Sequence, residues 1–270
     1  MHRLADLHTH SHFSDGTSSP ESVVKHAVRR RVEMFALTDH DTVGGVAESA
    51  RAAAEAGLPF ITGVEISTSL HDHLHILGYG IEPNHPGLAA FLEFCRESRK
   101  TRVRQITGKL AAAGADITYE EVAATAHESI SRPHVADLLV KKGLASTRQL
   151  AFRQYLVPGK PGYAPSLGPG IAETIAQITA AGGKAVLAHP GIVQSFWDFP
   201  AWTTAGLAGI EVYYPLHTAS MSGKLEKIAE KYGLFMTGGS DYHGPASGRE
   251  KTAGIRVPEK TFNKLRELFF

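Results

Sequence analysis

Histidines and carboxylates recur along the chain in short clusters: Asp6-Leu7-His8-Thr9-His10, Thr38-Asp39-His40-Asp41, Gly63-Val64-Glu65, His75, Ala188-His189-Pro190 and Ser240-Asp241-Tyr242-His243. There are 15 histidines against one cysteine, and imidazole with carboxylate is the donor set taken by zinc, manganese and iron when thiolates are absent. His8 and His10 are two apart, as are Asp241 and His243. In extended backbone that spacing turns both side chains to one side, where they can chelate one ion. Taken alone, either pair reads equally as solvated loop residues; the recurrence of acid and imidazole argues against that. Glu65 directly follows the apolar run Phe60-Ile61-Thr62-Gly63-Val64, where an unpaired carboxylate is costly to bury and a cation accounts for it. Asp39 and Asp41, on either side of His40, read as partners that orient imidazoles or as helix caps rather than as direct ligands. Asp6 has no assignment.

The elements that must position these residues are short apolar runs alternating with helical patterns. Leu4 to Leu7, Met34 to Thr38, Pro59 to Ile66, His75 to Tyr79, Ala185 to Ala188, Gly209 to Tyr213 and Leu234 to Thr237 read as buried strands. Ser19-Pro20-Glu21-Ser22 has a helix-start signature, and the helix is expected to run to about Arg31. Val43 to Gly57, Ala172 to Ala181, Ser222 to Tyr232 and Glu259 to Leu268 read as further helices, the first three closing on glycine. Strict alternation predicts an α/β fold with a parallel sheet, closed or nearly closed as a barrel. Nearly every candidate ligand lies at or near a strand's C-terminal end, the face on which a parallel barrel builds its active site, so residues from 8 to 243 can meet in one pocket. The stretch from Pro86 to about Pro165 breaks the rhythm with helical patterns only. It reads as a helical insertion (86–165) between two barrel segments (1–85 and 166–270), with Val157-Pro158-Gly159-Lys160-Pro161-Gly162-Tyr163 marking the return.

At 270 residues, 43% hydrophobic and 20% charged, the chain has room for one sizeable core and a small insertion. A net charge of +1, from 28 basic and 27 acidic residues, supplies no general basic field for nucleic acid, so an anionic substrate needs local positive charge. The lone Cys95, beside Leu92 and Phe94, reads as a buried thiol in a reducing compartment. No apolar leader and no run of about 18 apolar residues occurs, so the expectation is a cytoplasmic protein with no membrane contact and no obligate protein partner.

The ordered set Asp6-Leu7-His8-Thr9-His10-Ser11, Ser14-Asp15-Gly16, Thr38-Asp39-His40-Asp41, Gly63-Val64-Glu65, His75-Ile76-Leu77-Gly78, Ala188-His189-Pro190 and Gly239-Ser240-Asp241-Tyr242-His243 resembles the motifs of the polymerase and histidinol phosphatase (PHP) family across essentially the whole chain. Within that family it is most similar to the branch of nucleoside 3′,5′-bisphosphate phosphatases and ribonuclease AM, which carries a Ser-Arg-x-His element, here Ser131-Arg132-Pro133-His134, and a tyrosine-bearing return, here Gly159-Lys160-Pro161-Gly162-Tyr163. The resemblance implies a distorted (β/α)7 barrel with a small helical insertion domain. It further implies three divalent metal ions, often Mn2+, with Zn2+ or Fe2+ as alternatives. His8, His10, Glu65 and Asp241 would hold the first; Glu65, His75 and His189 the second; Asp15, His40 and His243 the third. Asp15 enters through the resemblance alone, since Ser14-Asp15-Gly16 by itself reads as a turn.

The expected activity is a phosphoesterase in which a metal-bridging hydroxide attacks phosphorus, with Glu65, Asp241 and His243 as catalytic residues. The substrate would be a small phosphorylated nucleotide such as a nucleoside 3′,5′-bisphosphate. The alternatives are 5′ to 3′ exonuclease action on short 5′-phosphorylated RNA, histidinol phosphatase activity, a catalytically silent metal-binding domain, and a carbon–nitrogen hydrolase. Arg132 and His134 are expected to reach a phosphate from the insertion. Lys160, in a Gly/Pro loop where it could meet an anion, and His217, after the sixth strand and facing the same rim, are further candidates for substrate contact, each balanced against an ordinary surface role. His12, His71 and His73 read as solvated or supporting side chains, and Arg29-Arg30-Arg31 as a favourable charge at a helix end.

Overall fold

Among the described residues there are eight strands: β1 (His2–Asp6), β2 (Met34–Leu37), β3 (Phe60–Ser67), β4 (His75–Tyr79), β5 (Lys184–Leu187), β6 (Gly209–Tyr213), β7 (Phe235–Gly238) and β8 (Ile255–Pro258). The computed structural model describes residues 1–247 and 253–270. The strands form one sheet in the order β7-β6-β5-β4-β3-β2-β1-β8. Beyond β7 the backbone turns back onto the continuation of β1: Asp241 N donates to His8 O (2.9 Å), His10 N donates to Tyr242 O (2.8 Å), and Thr9 bridges Tyr242 in parallel register. The sheet thus curls into a nearly closed barrel. Its upper rim is sealed by β7 against β1, and its lower rim by β8, which runs antiparallel to β1 from His2 opposite Pro258 to Ala5 opposite Ile255.

The sheet is not wholly parallel, as strict alternation had implied. β4 is antiparallel to both β3 and β5. The β3 to β4 connection has only residues 68–74, too few for the dozen or more residues that a parallel crossover needs. β8, four residues ending on a proline, was not expected as a strand; it too pairs antiparallel, as an edge.

Helices α1 (Pro20–Arg29), α2 (Val46–Glu55), α7 (Ile171–Ala180), α8 (Phe199–Thr204), α9 (Ala219–Tyr232) and α10 (Glu259–Phe269) clothe the barrel. α1 begins where the sequence signature places it. Ser19 accepts from Ser22 N at 3.2 Å and Pro20 occupies the first turn. Strand alternation divides the core into layers. Val64, Ile66, Ile76, Ile210 and Val212 face outward into the layer under α7 and α9, while Leu7, Ile61, Leu77, Tyr79 and Val186 fill the barrel interior and rest on Phe262 and Leu265 of α10. Burying each such aliphatic side chain contributes about 1.5–3 kcal/mol. The residues left on the inward phase at the upper rim are polar: Glu65 on β3, His75 on β4 and Glu211 on β6.

Between β4 and α7 run α3 (Pro86–Ala112), α4 (Tyr119–Ala123), α5 (Arg132–Lys141) and α6 (Arg148–Ala151), the last continuing as one π-helical turn, Phe152–Leu156. α3 belongs to two cores. Leu88, Phe91, Leu92 and Cys95 pack with the barrel's outer layer, whereas Val103, Ile106 and Leu110 pack with Ile117, Val122, Val135 and Leu139 of the helical segment. Among the described residues no helix is long and apolar enough to cross a membrane.

Candidate metal centre

Glu65 stands at the centre of a ring of imidazoles at the barrel's upper rim. Its Oε2 lies 3.1 Å from His8 Nε2, 3.2 Å from His10 Nε2 and 3.2 Å from His40 Nδ1; its Oε1 lies 2.8 Å from His75 Nδ1 and 3.1 Å from His189 Nε2. Asp241 Oδ1 approaches His10 Nε2 (3.2 Å) and His8 Nε2 (3.5 Å), and Asp15 Oδ1 lies 3.3 Å from His243 Nε2. Donor atoms fall into three overlapping groups: His8, His10, Glu65 and Asp241; His10, Asp15, His40 and His243; and His40, Glu65 and His75. The nine expected ligand positions therefore lie in one cluster. The first group has the membership expected from the motifs, and the second holds Asp15, His40 and His243 with His10 added. In the third, His40 stands beside Glu65 and His75, with His189 reaching Glu65 from the other side.

His75 reaches this rim because β4 is reversed. It is the first residue of its strand, and in an antiparallel strand the beginning lies level with the ends of its neighbours. Three carboxylates pin the loops that carry candidate ligands. Asp6 accepts from Ser240 N (2.8 Å), Ser240 Oγ (2.7 Å) and Gly254 N (2.6 Å), fixing the turn before Asp241. Asp39 accepts from Ser11 N (2.7 Å), Ser11 Oγ (2.6 Å) and Ser14 Oγ (2.6 Å), fixing the loop that presents Asp15. Asp41 pairs with Arg99 and accepts from Ser67 N at 3.1 Å. None of the three caps a helix, since the N-cap of α2 is Gly45. Asp41, His189 and Asp241 adopt positive φ (54°, 30° and 54°), backbone cost concentrated at the cluster. Gly239 is required there, because a Cβ would sit 2.2 Å from His8 Cβ.

The donor set fits divalent cations better than it fits itself. His8 Nε2, His10 Nε2, Asp15 Oδ1, His40 Nδ1 and Glu65 Oε2 are all buried and, despite their proximity, none has a hydrogen-bond partner. They point at shared space, and a protein interior does not leave that many polar atoms orphaned without cause. Two tautomers are set from behind. His243 Nδ1 faces the Asp241 carbonyl at 2.7 Å, which can only accept, so Nδ1 carries the proton and Nε2 offers its lone pair toward Asp15. His8 Nδ1 faces Glu211 Oε1 at 3.1 Å, leaving His8 Nε2 as the free donor atom. Glu211 is fully buried and also accepts from His189 N at 2.8 Å. Burial pushes the Glu65 and Asp15 carboxyls up, but positive charge on neighbouring imidazoles, His40 first for Glu65 and His243 first for Asp15, holds both well below the ordinary range, and a cation between the same groups would do so with the rings neutral. Burial also works against a charged His10, yet Asp241 and Glu65 raise it to about 9. So much negative charge in a buried site calls for cations.

A family model described as PHP domain matches residues 6–129. A 3′,5′-nucleoside bisphosphate phosphatase of Chromobacterium violaceum is 42% identical over 254 residues, 90% of this chain and 88% of its own length. The chain belongs to the PHP family. A 5′-3′ exoribonuclease of Haemophilus influenzae is 36% identical, covering 91% of this chain and 92% of the relative. A Chromobacterium violaceum structure described as an amidohydrolase with bound sulfate and no metal superposes with a TM-score of 0.86 at 37% identity, covering 97% and 96% of the two chains. This PHP protein is a phosphoric ester hydrolase with a cluster of histidine, aspartate and glutamate able to bind metal.

Around the PHP cluster the expected substrate contacts are placed unequally. Arg132 lines a cavity of about 80 Å³ that reaches Asp15, His40 and His75, with Nη1 2.8 Å from Asp72 Oδ2. His134 borders a groove on the Asp15 side, but its Nδ1 accepts from Ser131 N (3.0 Å) and closes a capping box at the start of α5. Lys160 sits on an exposed turn and lines neither cavity of the cluster. His217 has both ring nitrogens taken by backbone, Nδ1 donating to Val212 O (2.8 Å) and Nε2 accepting from Gly191 N (3.1 Å), so it anchors the turn after His189. Among the other histidines, His73 lines both cavities, while His12 stacks on Phe13 and meets the His127 ring at a tilt. Sequence reasoning passed over Arg99 and Arg102 of α3, which line the cavity beside Arg132, and over Tyr214, whose hydroxyl donates to Asp241 Oδ2 at 3.1 Å. It also passed over Glu211, whose signal was the same as that of Glu65: an acid within an apolar strand, Gly209-Ile210-Glu211-Val212-Tyr213.

Proposed function

We propose that the protein hydrolyses a phosphate monoester of a small nucleotide, of the class of nucleoside 3′,5′-bisphosphates, using three divalent cations, manganese foremost. The observation that carries this reading is the pairing of two anion-receptive places: the ligand cluster, and beside it a cavity walled by Arg99, Arg102 and Arg132. A bisphosphate has one phosphate for each. The relative described as a bisphosphate phosphatase supports the same substrate class. His8, His10, Glu65 and Asp241 would hold one cation, Glu65, His75 and His189 a second, and Asp15, His40 and His243 a third, with Glu65, Asp241 and His243 as the catalytic floor. Bound cations supply Lewis acidity toward the phosphoryl oxygens and acidify water at neutral pH.

The chain's own residues do the rest. Tyr214 holds Asp241 by its Oδ2, leaving Oδ1 turned to His8 and His10. Arg132, with its planar fork, orients the phosphate that is not cleaved, and His134 braces the helix start that carries Arg132. On the opposite side, a cavity of about 350 Å³ is bordered by Tyr214, Pro215, Leu216 and Ile192, apolar surface suited to the nucleoside. Water adds to phosphorus, the ester P–O bond breaks, and the products are inorganic phosphate and an alcohol.

A second reading, stepwise 5′-3′ exoribonuclease action, is favoured by a groove of about 450 Å³ that opens from Asp15 between His12, His127 and Arg148 and has room for a continuing strand. Manganese-loaded protein should be offered adenosine 3′,5′-bisphosphate and a 5′-phosphorylated oligoribonucleotide, with phosphate and mononucleotide release measured in parallel. The proposal expects faster turnover of the bisphosphate. Activity on neither substrate sinks it, and preference for the oligonucleotide transfers the assignment to the second reading.

A further inference from the structure

The arginine-lined cavity already contains an anion, supplied by the chain itself. Asp72 lies on the 68–74 connection between β3 and β4, and its carboxylate spans two guanidiniums: Oδ1 accepts from Arg102 Nη2 at 2.6 Å and Oδ2 accepts from Arg132 Nη1 at 2.8 Å. Guanidiniums hold carboxylate and phosphate oxygens through the same charge-assisted N–H···O bonds, so a phosphate group can take the place of this carboxylate. The two guanidiniums have other supports. Arg102 donates to Ala164 O through both Nε (3.0 Å) and Nη2 (2.8 Å), and Arg132 lies over the Phe152 ring at 5.6 Å from the start of α5. Arg99, the third wall of the cavity, is paired with Asp41 and donates to Ser67 Oγ at 2.7 Å. Asp72 thus spans two of the three guanidiniums, while Asp41 pairs with the third. The side chains of Asp72, Arg102 and Arg132 are 7%, 13% and 11% exposed, so the charges are little screened by water. Burial, and next Arg132, bring Arg102 down to about 10, still protonated at neutral pH.

Resting on the phosphomonoesterase reading above, we propose that Asp72 is an internal competitor that occupies the subsite where Arg102 and Arg132 receive the uncleaved phosphate, and that it limits how tightly the mononucleotide product is retained. An incoming phosphate takes over the two guanidinium forks and Asp72 withdraws with its loop; on completion Asp72 returns and helps expel the product. Asp72 is therefore a specificity and release element, not a catalytic residue.

The test is calorimetric titration of adenosine 5′-monophosphate, adenosine 3′-monophosphate and inorganic phosphate into wild-type, Asp72→Asn and Asp72→Glu proteins, each chelator-treated and manganese-loaded. Replacing a carboxylate that competes for two charged hydrogen bonds should tighten monophosphate binding about ten-fold or more in Asp72→Asn, while Asp72→Glu stays near wild type. In turnover by loaded enzyme, Asp72→Asn should lower KM for the bisphosphate and lower kcat with it, as product release slows. Unchanged or weaker binding by Asp72→Asn, or its failure to fold, makes Asp72 a scaffold for the arginines and overturns the proposal; so does equal tightening by Asp72→Glu. Failure of the phosphomonoesterase reading appears separately, as absent phosphate release by loaded wild-type protein, whereas binding to chelator-treated protein still reports on the subsite.

Discussion

Replacing Glu211 by Gln keeps the volume of a fully buried side chain and removes its charge. Glu211 receives two donors, His8 Nδ1 at 3.1 Å and His189 N at 2.8 Å. An amide cannot serve both in the same way. With its oxygen on the His189 N–H, its NH2 faces His8 Nδ1, and two donors confront one another unless His8 moves its proton to Nε2. That is the atom aimed at Glu65 and Asp241, and once protonated it no longer offers a lone pair to a cation. A hydrogen bond to a charged group contributes about 1.5–3 kcal/mol, and each 1.36 kcal/mol is a factor of ten. Glu211→Gln should therefore weaken manganese binding at the His8 site by about one to two decades. The assay is calorimetric titration of manganese into chelator-stripped wild-type and variant proteins, with thermal unfolding as a control for folding. If the folded variant binds manganese within a factor of two of wild type at every site, the control of the His8 tautomer by Glu211 is wrong.

Chelation should lower the melting temperature of wild-type protein by roughly 5–10 °C, since a cation at 100 times its dissociation constant stabilises by about 2.7 kcal/mol and each kcal/mol moves a chain of this size by about 2–4 °C; a melting curve indifferent to chelator would contradict a cluster that needs cations. Gly239→Ala drives a Cβ to 2.2 Å from His8 Cβ and should cost about 2–3 kcal/mol in urea unfolding along with metal affinity, whereas wild-type stability would mean that this backbone yields freely. Cys95 is 2% exposed with its thiol pushed up by burial, so it should resist a thiol reagent in the native state and react once unfolded; labelling of the folded protein counts against its placement.

Much of the barrel was legible because its strands are brief apolar runs with a strict inward and outward phase. Val64 and Ile66 on either side of Glu65, and Ile210 and Val212 on either side of Glu211, are the same pattern in two strands. Strand direction was not legible. The reversal of β4 depends on the brevity of the 68–74 connection, and that brevity shows only once both strand ends are known. Charged residues on helices were the least legible. Arg99 and Arg102 look like any cations on a long helix until the helix is seen to pass the rim, and Asp72 looks like a loop acid until two arginines close on it. His217 and Lys160 lie on suitable loops, but a loop's position does not say whether the ring's nitrogens are already spent on backbone, as those of His217 are, or whether a lysine turns outward, as Lys160 does.

The reversed β4 also fixes the architecture above the site. A strand that starts at the rim ends at the base, so the chain must climb back, and α3 does so with 27 residues, about 40 Å of rise. Its first third leans on the barrel wall, Arg96 to Arg102 pass the rim where they meet Asp41, Ser67 and Asp72, and the last third carries the helical segment. α3 is thus a mast whose length sets the height of the roof over the metal cluster. Each residue added between Arg102 and Val103 would lift that roof by about 1.5 Å and swing it by about 100°, so about one whole turn, some 5.4 Å, is the step by which helix length raises the headroom without turning the roof, the candidate ligands on the barrel staying in place.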